Sequence, residues 1–251
     1  MAQDQPGGGD RATRPKPPTT PFGGRLTGDG ALVTKALIAV NVAVFLAATY
    51  RYPSMIGDSS HVGSWDMYSE VLPDGSRAGV AAGPDQWYRL LSGMFVHGGW
   101  LHLGSNMLAL WWLGPVLERA LGRLRYLALY LVSGLAGNAL VYLVSGAGVD
   151  SLGASGAIFG VFGATAVLYR AARQPLGPVV ALIVFNLVIT FSVPGIDWRA
   201  HVGGLAAGLF TGIGMMHAPR ANRTLVQAGT VVLMLAVVVA VVLVETARLT
   251  G

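Results

Sequence analysis

Cysteine is absent from the chain, and charged residues are scarce. Without cysteine, disulfide bonds, thiolate nucleophiles and zinc sites built on thiolates are excluded. Asp, Glu, Lys and Arg together make up 12% of the 251 residues, about half the share of an ordinary soluble domain. Lysine occurs only at Lys16 and Lys35, whereas Arg, Ala, Gly and Val abound, a bias typical of GC-rich bacterial genomes.

Apolar residues make up 53% of the chain. This is more apolar surface than one core can bury, which indicates that lipid is the solvent. The net charge of +5 then reflects sorting of basic residues across a bilayer. No Arg- or Lys-rich stretch with interleaved aromatics is present, so we expect no nucleic-acid partner.

Long apolar runs predict an all-α integral membrane protein, because each run has the length of a helix that crosses a hydrocarbon layer about 30 Å thick. We expect spans at 32–50, 100–117, 124–145, 152–171, 178–194, 199–217 and 226–246. The connection 51–99 is long and holds Trp65, Trp87 and Tyr88, aromatic residues that prefer the membrane interface.

Residues 1–30 are rich in Gly, Pro, Thr and Arg and lack apolar periodicity. Such a segment buries too little surface to offset the entropy of ordering, so we expect a disordered tail. It does not read as a cleavable signal peptide, because the first apolar stretch starts late and runs long.

Basic residues predict the orientation of the spans. Clusters precede span one and lie between spans two and three, after span four, and between spans six and seven; they contain Lys35, Arg119, Arg123, Arg125, Arg170, Arg173, Arg220 and Arg223. All four clusters fall on one side if the chain zigzags. The positive-inside rule then places the N-terminus in the cytoplasm and the C-terminus outside, in a bacterial plasma membrane.

A few polar side chains lie in or beside the spans, where each is a candidate functional residue. They are His97, His102, Asn106, Glu118, Ser155 and His201. Each has a plain alternative when taken alone. Ser155 is a small residue that lets helices approach, His102 and Asn106 can bridge helices, and His201 can lie at an interface. For Glu118 we prefer an ion pair with Arg119 or Arg123.

Topology favours a shared site. Spans two, four and six run in the same direction, so His102, Ser155 and His201 all fall within about two turns of the outer ends of their helices. A serine hydroxyl becomes nucleophilic when a neighbouring imidazole accepts its proton. The residues therefore predict acyl-transfer chemistry.

The remaining parts of such a site are also present. Backbone N–H groups at the start of span four are free by helix geometry, and His102 and Asn106 share a helix face from which they can donate to an oxyanion. We assign His97 to a cap over the site. Asp197 precedes His201 by four residues but lies in a loop, so we predict a Ser-His dyad.

Glycines on spans four and six predict that these helices pack closely enough for Ser155 and His201 to meet. Gly156 and Gly160 share one face of span four, and Gly204 and Gly208 share a face of span six. Small residues spaced four apart let helix backbones touch.

The residues resemble the rhomboid family of intramembrane proteases. The run from His97 to Asn106 (HGGWLHLGSN) is similar to the family's second span, and Gly153 to Gly156 (GASG) to its nucleophile motif. Ala200 to Gly208 (AHVGGLAAG) is similar to its base motif. Supporting matches are Glu118 to Gly122 and the run Trp87-Tyr88-Arg89, in which Tyr88 stands where many members have Trp.

The resemblance covers about residues 31–217 and implies a six-helix rhomboid-type bundle, with one extra C-terminal transmembrane helix in 218–251. It implies Ser155 as nucleophile and His201 as base. It also implies His102, Asn106 and the Ser155 N–H as oxyanion donors, with Gly153 beside them, and single-span membrane proteins as substrates. No cofactor or metal is expected.

Two alternatives stay open. The first is a pseudoprotease of the same fold that binds membrane helices without cutting them. The second is a membrane transporter that binds metal through His97, His102 and His201, although no carboxylate or Cys ligand lies at that depth and no HExxH pair is present. A soluble hydrolase elbow is excluded, because it needs GxSxG on a strand-to-helix turn.

Overall fold

The computed structural model describes residues 19–24, 30–51, 67–71, 77–80, 83–145 and 149–250. Most of the predicted N-terminal tail lies outside these residues, as does much of the connection 51–99.

Helices dominate the described residues, and seven of them are long. The helices are α1 Leu32–Tyr50, α2 Arg89–Ser92, α3 Trp100–Leu121, α4 Arg123–Ser145, α5 Ser155–Ala171, α6 Gly177–Ser192, α7 Trp198–Met216 and α8 Arg223–Thr250. All except the short α2 coincide with the seven predicted spans, which confirms the all-α fold. The start of α5 lies three residues later than predicted, because Gly153 has a φ of +116° that a helix does not accept.

Length and apolar composition alone identify three membrane-crossing helices among the described residues. These are Leu32–Tyr50, Arg123–Ser145 and Arg220–Leu249. Helices α5 and α6 are apolar but only 17 and 16 residues long. Polar residues lower the hydropathy of α3 and α7, and these two helices carry four of the six candidate polar residues, His102, Asn106, Glu118 and His201.

A small antiparallel sheet, which the sequence did not predict, lies outside the bundle. Its strands are β1 Met67–Val71, β2 Arg77–Gly79 and β3 Val149–Ser151, in the order β2-β1-β3. Ser69 pairs with Gly79 on one side of β1, and Met67 pairs with Ser151 on the other. The sheet therefore joins the connection after α1 to the segment immediately before α5.

Helices α4, α5 and α7 form the centre of the bundle. Residues 156–165 of α5 are all buried, as are Tyr126, Tyr130 and Tyr142 of α4. By contrast, α6 buries only Val179 and Thr190. Outward faces are apolar, as expected of helices in lipid, with Trp112 and Phe185 both more than 60% exposed.

Two findings at the end of the bundle where α3 ends and α1 begins differ from the sequence predictions. Residues 19–24, assigned to the tail, form a turn packed on α3, α4 and α8. Thr20 Oγ1 donates to Ala120 O at 2.6 Å, and Gln227 Nε2 donates to Phe22 O at 3.1 Å.

Glu118 does not have the role predicted for it. Its carboxylate accepts hydrogen bonds from Val33 N, Thr34 N and Thr34 Oγ1, at 2.8, 2.8 and 2.9 Å. Ala31, at the N-cap position of α1, has no side chain that could cap the helix. The carboxylate from α3 therefore caps α1, where the helix dipole favours a negative charge.

Candidate active site

Ser155 and His201 meet at one end of the bundle. Ser155 is the first residue of α5, and His201 lies in the first turn of α7. The Oγ of Ser155 lies 2.8 Å from the Nε2 of His201, a hydrogen-bonding distance. His201 is buried and Ser155 is partly exposed.

Direct contact between the backbones of α5 and α7 holds the two residues at this distance. A methyl group at Gly204 would collide with the carbonyl oxygen of Gly156, and one at Gly208 would collide with the backbone of Gly160. The close packing predicted from these four glycines is therefore present.

Two neighbours fix the imidazole of His201. The ring of Phe159, one turn after Ser155, stacks on it with centroids 4.2 Å apart and planes 14° apart. The second ring nitrogen, Nδ1, lies 2.7 Å from Thr190 Oγ1 of α6. The sequence analysis missed Thr190. The available signal was that Asn186 and Thr190, four residues apart, are polar residues on one face of an otherwise apolar helix.

His102 and Asn106 of α3 face the backbone just before Ser155. A methyl group at Gly153 would lie 2.7 Å from His102 Nε2 and 3.7 Å from Asn106 Nδ2. Asn106 is buried, and its Nδ2 has no hydrogen-bond partner among the described residues. A buried donor without a partner is costly, so this amide is available for a negative oxygen near Ser155.

Gly153 leaves room for the His102 ring and has a φ of +116°, which other residues rarely adopt. Its own N–H donates to Gly93 O at 2.9 Å, so this amide is not available to an oxyanion. At the start of α5, the first intrahelical bond joins Ile158 N to Ala154 O, at 3.0 Å. The N–H of Ser155 comes before that bond and has no acceptor within its helix.

His97 lies beside His102, in the segment just before α3. It is fully buried, and its ring packs edge-on to His102 with centroids 5.0 Å apart. Burial lowers the pKa of His97 from 6.5 to about 4, and His102 adds to this shift. The ring is therefore neutral near pH 7. His97 also lines a cavity of about 320 Å³, together with residues that include Phe45, Ala48 and Trp100.

Asp197 was predicted to lie in the loop before the span; it is the last residue before α7, where it caps the helix, and it does not complete a triad. Its Oδ1 accepts from Arg199 N at 3.0 Å and lies 3.6 Å from Arg199 Nε. The carboxylate is the N-cap of the helix that carries His201.

The Rhomboid domain family matches residues 84–218, slightly more than half of the chain. The match includes Ser155, His201, His102 and Asn106. Helix α1 lies before the matched range and α8 lies after it.

Several curated proteins are similar to slightly more than half of the chain. The chain is 38% identical over 146 residues to rhomboid-type serine protease 2 of Emericella nidulans. The aligned residues make up 56% of this chain and 29% of that protein. It is 36% identical over 150 residues to rhomboid protease GluP of Bacillus subtilis, 57% of this chain and 29% of that protein. With YdcA of Bacillus subtilis it shares 34% identity over 139 residues, 53% of this chain and 69% of that protein. The chain thus spans less than a third of the length of the first two of these relatives.

Proposed function

The chain belongs to the rhomboid family, and we propose that it is an intramembrane serine endopeptidase that cuts the membrane-spanning segments of other proteins. The observation that carries the proposal is the distance of 2.8 Å between Ser155 Oγ and His201 Nε2, at the end of two helices packed backbone to backbone. The names of two relatives, a rhomboid-type serine protease and a rhomboid protease, support it.

The proposed reaction uses His201 as base and then as acid. The imidazole accepts the proton of Ser155, whose oxygen bonds to the carbonyl carbon of the peptide bond. The carbonyl oxygen becomes negative, and His102, the unpartnered Nδ2 of Asn106 and the N–H of Ser155 donate to it. His201 then passes the proton to the leaving amine. Water repeats the sequence on the acyl-enzyme and releases the new carboxyl end.

The membrane setting follows from the family and the apolar helices: this is a multi-pass membrane protein. We propose that it lies in a bacterial plasma membrane with its N-terminus in the cytoplasm and its site facing outside. The starts of α3, α5 and α7 carry the candidate residues, whereas the basic clusters lie at the other end of the bundle. Its substrates are single-span membrane proteins. The division into tail 1–30, core 31–217 and additional helix 218–251 stays a prediction.

A cleavage assay tests the activity. We expect the purified chain, reconstituted in liposomes, to cut a model single-span substrate and to react with a fluorophosphonate at Ser155. The Ser155→Ala variant provides the matched control and loses both. A native protein that binds the substrate without cutting it would favour a pseudoprotease. Metal retained after purification, together with loss of its binding in a His102→Ala variant, would favour the transporter.

Orientation has a separate test, because the chain has no cysteine of its own. A cysteine at Asp150, in β3 near the site, should react with an impermeant thiol reagent added outside cells. One at Ala221, between α7 and α8, should not react. Ser76, predicted to behave like Asp150, lies outside the described residues. The reverse pattern would place the site at the cytoplasmic face.

A further inference from the structure

We propose that Thr190 is a positioning residue that fixes the tautomer of His201, in the place that an acidic side chain occupies in a catalytic triad. The proposal rests on the proposed serine protease function. It concerns the hydrogen bond of 2.7 Å between Thr190 Oγ1 and His201 Nδ1, on the side of the ring opposite Ser155.

The direction of this bond follows from a count of hydrogens. A threonine hydroxyl has one proton to donate. Thr190 Oγ1 donates it to the carbonyl oxygen of Asn186, at 2.7 Å. The hydroxyl oxygen is then left as an acceptor toward His201, so Nδ1 carries the proton of the neutral ring.

The same assignment determines that Nε2, the other ring nitrogen, carries no proton. A neutral imidazole with its proton on Nδ1 has a lone pair on Nε2, which faces Ser155 Oγ at 2.8 Å. This is the form that can accept the proton of the serine. The other tautomer would point an N–H at Ser155 and could not act as a base.

Other neighbours of the ring do not supply this acceptor. Phe159 stacks on the face of the imidazole and offers no acceptor to Nδ1. The Oδ1 of Asp197 accepts from Arg199 N at 3.0 Å and lies 3.6 Å from Arg199 Nε, so this oxygen is engaged by Arg199. Among the described residues, Thr190 Oγ1 is the acceptor within hydrogen-bonding distance of Nδ1.

The burial of Thr190 is not explained by helix packing alone. Only Val179 and Thr190 of α6 are buried, and most of the other side chains of α6 face outward. A hydroxyl in an apolar setting is costly unless it is bonded. Its bond to Asn186 satisfies the donor, and the bond from His201 uses the acceptor.

Two variants and a control test the role. Thr190→Val keeps the shape of the side chain and removes the hydroxyl, whereas Thr190→Ser keeps the hydroxyl. The control is Thr165→Val in α5, because Thr165 is buried and donates to the carbonyl four residues earlier, Val161 O at 2.7 Å, as Thr190 does to Asn186. Among the described residues, Thr165 makes no hydrogen bond to a histidine.

We expect Thr190→Val to lower kcat roughly tenfold, the effect of one hydrogen bond, with little change in KM. Thr190→Ser should restore most of the turnover. Thr165→Val should lower the melting temperature about as much as Thr190→Val and leave kcat within about twofold. Equal kcat in the two valine variants would overturn the proposal, as would a Thr190→Ser variant as slow as Thr190→Val.

A spectroscopic measurement tests the tautomer without relying on activity. In protein labelled with ¹⁵N-histidine, the His201 signals, assigned by their loss in His201→Ala, should show the proton on Nδ1. Thr190→Val should shift the population toward Nε2–H. A wild-type ring protonated on Nε2 would overturn the proposal even if cleavage is observed. Absence of Ser155-dependent cleavage would instead refute the proposed function, while the ¹⁵N spectra still decide the role of Thr190.

Discussion

Helices α7 and α6 both contact α5, but they do so in different ways. The contact of α7 with α5 is made by backbones at glycine positions and is buried along its length. Helix α6 buries only two side chains and exposes most of its surface. The distance between Ser155 and His201 is therefore set by the tightly packed pair, whereas the partner of the second histidine nitrogen comes from the more loosely packed helix.

The comparison separates two requirements of the proposed reaction. Serine and base must be held at a fixed distance, which a backbone contact does well because it has no rotamers. The histidine must also present the correct nitrogen, which needs only one hydrogen-bond acceptor. Substitutions at the glycines that join α5 and α7 should therefore lower stability and turnover together, whereas removal of the Thr190 hydroxyl in α6 should lower turnover beyond its effect on stability.

Removal of either member of the dyad should have the largest effect. We expect Ser155→Ala and His201→Ala each to reduce cleavage to background, a loss of about 10⁶-fold in a comparable soluble enzyme, because the two act as one unit. Ser155→Ala should leave the melting temperature close to native, since it removes one oxygen of a partly exposed side chain, whereas His201→Ala removes a buried ring and should lower it. The measurement is turnover of the single-span substrate, with a thermal melt on the same samples. Measurable turnover in either variant would refute the dyad.

His102 and Asn106 should come next. Losing one oxyanion donor costs about a hundredfold or more in kcat, so Asn106→Ala should lower turnover while KM and melting temperature stay near native. His102→Ala should be slower still, because its ring also contacts Gly153. A bridge between helices would behave differently, with a loss of about 0.6 kcal/mol in stability. Native turnover with a lower melting temperature in Asn106→Ala would favour the bridge.

Backbone contact between α5 and α7 predicts a smaller effect that combines stability and activity. Gly208→Ala should destabilise the protein by about 1–3 kcal/mol, because the new methyl group meets the backbone of Gly160. Turnover should fall with it as the dyad separates. Gly229→Ala in α8 is the matched control, since nothing lies within 4 Å of a methyl group there. Equal stability of the two variants would contradict the contact described for α5 and α7.

The smallest effects should distinguish the buried helix from the exposed one. Val161 of α5 is fully buried, whereas Val188 of α6 is 57% exposed. Val161→Ala should lower the free energy of unfolding by roughly 1 kcal/mol or more through the cavity it leaves. Val188→Ala should change it by less than about 0.5 kcal/mol. Similar losses in both variants would show that α6 is held as firmly as α5.

Sequence patterns predicted the helices and the dyad because both depend on local or regular features. Apolar runs reveal helices in lipid, and the alternating direction of the spans places Ser155 and His201 at one level. The role of Glu118 was missed, since its partners Val33 and Thr34 lie about 85 residues away. Thr190 was missed because its contact depends on the rotation of α6, which its apolar faces do not specify. The sheet was missed because its strands have only three to five residues.

The cap that Glu118 provides has a consequence for biogenesis. Helix α1 is synthesised first, but the carboxylate that accepts from its Val33 and Thr34 amides belongs to α3 and leaves the ribosome about 85 residues later. During that interval these amides have only water or lipid headgroups as partners. Insertion of α3 therefore supplies the hydrogen-bond acceptor for the first amides of α1. The start of α1 is fully hydrogen-bonded within the protein only after α3 has been made.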